Sequence, residues 1–196
     1  MTAEPGRRRL AWSIRSTWVF AILLSVCTAS ARGSDSPPPS EYDVKAAFLY
    51  NFTRFADWPG VQTASEQSEI LHICVLGVDP FKDAFAAIVG RAAAGRTLVV
   101  KRHRSLSELT DCEILFVSDS EVDRVDQILR HFRSRPVLTV SDISEFARRG
   151  GIINFVVRNK KIRFQINLDA VERSGIKLSS KLLRLAEVIR EEGLAK

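Results

Sequence analysis

Residues 70–90 read ILHICVLGVDPFKDAFAAIVG, and their order decides the fold. The first seven residues are apolar at nearly every position, the pattern of a strand buried on both faces rather than one with a wet side. Gly77 ends the run. Asp79 and Pro80 then supply an N-cap and a proline suited to a first helical position, and Phe81, Phe85 and Ile88 share one face of a helix reaching about Gly90. A buried strand feeding a helix opens a βαβ unit, so parallel strands should follow.

Downstream the rhythm holds. A strand is expected around Thr97 to Lys101, a short helix opened by the capping box Ser105 to Glu108, and a strand at Glu113 to Val117. Ser120 caps a helix with Val122, Val125, Leu129 and Phe132 inward, and Pro136 to Val140 forms the next strand. Asp142 and Glu145 suit one more helical turn before Gly150 and Gly151. The pattern then changes. Ile152 to Val157 is followed, across Arg158-Asn159-Lys160, by Ile162, Phe164 and Ile166 alternating with Arg163, Gln165 and Asn167, which predicts a β-hairpin with one wet face. The chain should end as a helix carrying Leu182, Leu185, Ala186 and Ile189 on one face. The fold class expected is α/β, a three-layer domain whose mainly parallel sheet is finished by an antiparallel C-terminal hairpin at one edge.

Upstream, Glu41 to Trp58 places Val44, Phe48, Phe52 and Phe55 on one helical face before Pro59-Gly60. The proline-rich stretch 32–40 reads as a flexible leader, so the domain should occupy 41–192. Residues 1–31 have the parts of a cleavable signal peptide: Arg7, Arg8, Arg9 and Arg15 against Glu4, an apolar core from Trp18 to Cys27, and Ala29-Ser30-Ala31 at the cleavage site. The core is shorter than the ~20 residues of a stable span, so an uncleaved anchor is the weaker reading. Lipidation at Cys27 competes less well, because Val26 is bulky where a small residue is needed.

Export changes the charge and the cysteine count. The full chain of 196 residues carries 29 basic and 23 acidic side chains; after cleavage 25 face 22, so the net charge falls from +6 to +3 and the case for nucleic-acid binding weakens. Only Cys74 and Cys112 remain, in a compartment where thiols oxidise, and a disulfide is expected, with two buried free thiols as the alternative.

No catalytic residue, metal cluster or cofactor loop is legible: His-x-x-x-His, Cys-x-x-Cys, Gly-x-Ser-x-Gly and P-loop spacings do not occur. Ser118-Asp119-Ser120-Glu121-Val122-Asp123 resembles the acidic strand end of a phosphoacceptor domain, yet the helix macrodipole alone explains an acidic helix start. Arg91, Arg96, Lys101, Arg102 and Arg104 read as a solvated basic face. The best candidate for a ligand pocket or partner surface is the polar face of the hairpin, Asn154, Arg163, Gln165 and Asn167.

Two segments go further. EYDVKAAFLYNFTRFADWP at 41–59 and GGIINFVVRNKKIRFQINLDAVERSGIKLSSKLLRLAEVI at 150–189 resemble the YfiR family, and Cys74 and Cys112 match that family's cysteine pair. The resemblance implies a periplasmic, non-enzymatic homodimer without cofactor. Its partner would be an inner-membrane diguanylate cyclase, whose periplasmic sensor region it binds and represses, lowering cyclic di-GMP signalling and regulating biofilm formation. Redox control through the disulfide is implied as well. A second cysteine pair that some members carry near the hairpin is missing, with Gly151, Ile152 and Asn159 in its place. A related sensor kinase as partner, with the chain acting as its small-molecule-binding module, is the alternative.

Overall fold

The computed structural model describes residues 38–58 and 69–191, so the signal peptide, most of the leader and residue 192 lie outside the described residues. The chain starts with helix α1 (Glu41–Phe55). Its N-terminus is closed by a capping box in which the Ser40 hydroxyl accepts from Asp43 N at 3.2 Å and Asp43 Oδ2 accepts from Ser40 N at 2.8 Å. The helix ends three residues before Trp58, because Ala56–Asp57 (β1) turn extended and pair antiparallel with Lys177–Leu178 (β9, below). Its buried stripe is Ala46, Leu49, Phe52 and Thr53, rotated from the expected one. Phe48 and Phe55 flank the stripe and Val44 is only half-buried.

The remaining elements are β2 (Ile70–Leu76), β3 (Ala92–Ala93), β4 (Arg96–His103), β5 (Ile114–Val117), α2 (Val125–Phe132), β6 (Leu138–Ser141), β7 (Ile153–Arg158), β8 (Lys161–Asn167), α3 (Leu168–Ser174), β9, α4 (Ser180–Leu183) and β10 (Glu187–Ile189). Among the described residues, eight strands make one sheet in the order β10-β8-β7-β6-β5-β2-β4-β3. β2, β4, β5, β6 and β7 pair in parallel, and β7–β8 form the expected antiparallel hairpin. Asn159 and Lys160 both have positive φ, 51° and 59°, as a two-residue type I′ connection requires.

Alternate side chains of the parallel strands feed two cores. Leu71, Ile73, Val75, Ile114, Phe116, Leu138 and Val140 pack against α1 and the segment after Gly77, with Phe81, Phe85 and Phe116 stacked or edge-on. Cys74, Leu76, Leu115 and Val117 face the other way, under Val125, Ile128, Leu129 and Phe132 of α2. These are the three layers, built on the α/β pattern that the first strand announced.

Several local expectations are corrected. The helix after Pro80 is a 3₁₀ turn, Lys82–Ala87: Asp79 does accept from Phe81 N at 2.8 Å, but Phe81 and Phe85 are pulled onto the sheet and Lys82 adopts φ 49°. The helix from Ser120 is likewise 3₁₀ over Asp119–Arg124 before α2 begins, leaving Val122 41% exposed. The C-terminal helix is one turn, α4; Glu187–Ile189 instead run parallel to β8, in register with Gln165, Ile166 and Asn167. The hairpin is therefore not the sheet edge. A bare β8 edge offers a row of unpaired amides and carbonyls, and pairing them outweighs continuing a short helix whose Leu185 would stay in water. Opposite, β3 and β4 add an antiparallel pair through Ala94-Gly95, which the sequence reading missed.

Candidate functional site

The central order β4-β2-β5-β6-β7 is that of a flavodoxin-like sheet, in which ligands sit where the first and third strands part, at their carboxyl ends. Here that crevice, between Leu76-Gly77 and Val117-Ser118, is filled from within. Ser118 Oγ donates to Val78 O at 2.6 Å, and Ser120 Oγ accepts from Val78 N at 2.9 Å. Gly77, at φ +96°, lies so close that a Cβ would meet Ser120 Oγ at 2.4 Å and Glu121 at 2.9 Å. The Ser118-to-Asp123 cluster is thus a plug that ties two loops together.

An open cavity lies one strand along. A cleft of about 480 Å³ forms between the start of α1, the loop after β6 and the hairpin. Lys45, with 3% of its side chain exposed, reaches Asp142 Oδ2 and Glu41 Oε1, each at 2.5 Å. Tyr42 donates its hydroxyl to Asp142 Oδ2 at 3.0 Å, and the Lys45 ammonium sits 4.4 Å from the Tyr42 ring centroid. Burial first, and then the Asp142 carboxylate, push the Tyr42 phenol above its ordinary value, so it remains a hydrogen-bond donor across the physiological range. Asp119 and Glu145 add further negative charge to the rim.

The four hairpin residues do not form one wet face. Asn154, Gln165 and Asn167 are buried, at 1%, 6% and 0% exposure, under the irregular segment 142–151. Asn154 Nδ2 donates to Ser141 O at 3.2 Å and Ile143 O at 2.9 Å; Asn167 Nδ2 donates to Ala147 O at 2.7 Å while its Oδ1 caps α3 at Ala170 N. They pin that segment to the sheet alongside its apolar anchors Ile143 and Phe146. Asn154 and Gln165 also line the cleft, whereas Asn167 does not. Arg163 is exposed near the hairpin tip, with Arg158, Lys160 and Lys161. Sequence reasoning missed Tyr42, Lys45 and Asp142. The signal available was a lysine inside the apolar stripe of α1, three residues from a tyrosine.

Elsewhere, a cavity of about 420 Å³ gathers Arg130, Arg133, Arg149, Arg173 and Arg190, partly neutralised by Asp126 and Glu191. The basic stretch around β4 does not act as one face: Arg96 is buried against Glu113 and Ile70 O, and Arg102 pairs with Asp79 at 2.6 Å. Cys74 and Cys112 are joined by a disulfide, Cα to Cα 5.9 Å, from β2 to the residue two before β5, its neighbour in the sheet.

Sheet order, plugged switch point and displaced polar cleft define an α/β module whose cavity sits beside the usual ligand crevice. Comparison with known families places it further: residues 42–187 match the YfiR/HmsC-like family model, and the chain belongs to that family. The family is regulatory rather than catalytic, and membership points to a periplasmic regulator of cyclic di-GMP signalling. Among the described residues no helix is long and apolar enough to cross a membrane.

Proposed function

We propose that the chain is exported through its first 31 residues and, as a homodimer, binds and represses the periplasmic sensor region of an inner-membrane diguanylate cyclase, lowering cyclic di-GMP. The observation that carries this reading is the family match across nearly the whole described domain. The hairpin tip suits the contact: Val157 is 56% exposed on one face of the ribbon, and Arg158, Lys161 and Arg163 stand exposed on the other, where the pairing Val156 to Arg163 and Arg158 to Lys161 places them. Affinity capture of the tagged chain from envelope extract should recover a membrane diguanylate cyclase, and deletion should raise cyclic di-GMP. Arg163→Glu should reduce the recovery without unfolding the domain. Unchanged cyclic di-GMP, with no membrane signalling protein captured, would overturn the proposal.

The cleft favours a second reading, a small-molecule module that adjusts a membrane sensor kinase or cyclase. Its volume suits a metabolite, and Tyr42, Lys45, Asp142, Asn154 and Gln165 give it convergent polar groups. A ligand at a hundred times its dissociation constant adds about 2.7 kcal/mol, visible as a thermal shift. A flat response across amines, amino acids and sugars would remove this reading and leave the first intact.

A further inference from the structure

The disulfide has a third donor beside it. His103 ends β4, in register with Leu76 on β2 and therefore on the same sheet face as Cys74. The donor atoms of Cys74, His103 and Cys112 all lie within 4.8 Å of one another. The two ring nitrogens of His103 differ. Nδ1 faces Glu108 Oε2 at 3.6 Å, and Glu108 is itself held by Arg104 N at 3.2 Å. Nε2 is buried without a hydrogen-bond partner among the described residues. An orphaned buried imidazole nitrogen forfeits its hydration without a hydrogen bond in return and calls for a physical account.

We propose that the reduced form of this pair is a zinc site, with Cys74, Cys112 and His103 Nε2 as ligands and Glu108 as the carboxylate that orients the imidazole from behind. Thiolate and imidazole are the donors zinc prefers, and a carboxylate on the far ring nitrogen is the usual support of a ligating histidine. Tetrahedral coordination asks the two sulfurs to stand about 3.8 Å apart, from Zn–S bonds of ~2.3 Å. Side-chain rotation can supply that separation, because Cys112 belongs to the loop joining β4 to β5 and not to a strand. A cleft of about 460 Å³ lined by Cys112, Asp111 and Glu113 gives reductant and metal a way in. Water fills the fourth position.

The chemistry balances with a dithiol reductant. Exchange breaks the Cys74–Cys112 bond, the reductant becomes a disulfide, and its two electrons and two protons pass to the cysteines. Zinc then displaces the two thiol protons to solvent. Oxidation and metal binding are mutually exclusive states of the same two sulfurs. This inference does not depend on the identity of the membrane partner.

The test titrates zinc, and cobalt as its spectroscopic substitute, into the purified chain before and after reduction by a dithiol, with circular dichroism reporting the fold. The reduced chain should bind one metal ion per chain with a thiolate-to-cobalt charge-transfer band, and the oxidised chain none. His103→Gln should weaken binding at least tenfold while keeping the fold, and Glu108→Gln should weaken it less. Equal affinity in wild type and His103→Gln, no stoichiometric binding after reduction, or the same affinity in urea-unfolded chain would each overturn the site. If reduction unfolds the chain, zinc should restore the fold; failure to do so overturns it too.

Discussion

Gly151 shows how much of the architecture a single residue carries. A Cβ there would meet the Phe146 ring at 2.2 and 2.3 Å, and Phe146 is fully buried under the sheet, so neither side can yield. Gly151→Ala should cost about 1–3 kcal/mol by overpacking, read as a lowered urea midpoint with unchanged slope. His72 sets a pH dependence. Burial, and secondly Lys101, hold its imidazole below the ordinary value, with Glu113 and Asp111 opposing and Arg96 reinforcing the shift. The folded state therefore binds a proton less readily than the unfolded chain, whose histidine titrates near ~6.5. The contribution is present above that pH and is lost as pH falls below it. Unfolding midpoints should drop on acidification through this window in the wild type, and less steeply in His72→Gln. A histidine in an apolar strand was legible from sequence. The lysine and carboxylates around it belong to two other stretches of chain, β4 and the segment before β5, and were not.

At the scale of the element, the last strand decides the most. β10 covers the β8 edge, and its approach is fixed by Glu191, which pairs with Arg173 and accepts from Asn167 Nδ2 at 3.3 Å, and by Arg190, which meets Asp169 at 2.7 Å. Truncation after Ala186 should lower the melting temperature and promote concentration-dependent association, because β8 would be left as an open edge. Light scattering against concentration checks this; a monomer of unchanged stability would show that β10 is dispensable. The same element explains why local reading failed here. Leu182, Leu185, Ala186 and Ile189 have helical spacing, but three or four residues of weak helix compete with a ready-made edge that exists only once the hairpin has folded. The stripe of α1 shifted for a similar reason: the Lys45 ammonium is buried only because Asp142, almost a hundred positions away, arrives to meet it.

For the whole molecule, the disulfide closes a loop of 38 positions from β2 to the segment leading into its neighbour β5, and the chain-entropy model assigns about 4 kcal/mol to such a closure. Reduction should lower the unfolding midpoint by a comparable amount in the absence of metal, with fluorescence and denaturant titration as the measure. The sequence alone carried the α/β class, the parallel run that starts at Ile70, the hairpin, the export signal as an expectation and the family kinship. All of these rest on local periodicity, turn chemistry or contiguous motif, which neighbours in the chain supply. It did not reveal that the switch point is plugged, that Asn154 and Asn167 bury themselves as struts with Gln165 buried nearby, that Tyr42, Lys45 and Asp142 share a cleft, or that His103 stands beside the disulfide. Each of those joins residues far apart in the chain. Periodicity says which face of an element is apolar, but burial of a polar side chain depends on a partner that only strand order brings within reach, and strand order was decided by the tertiary structure.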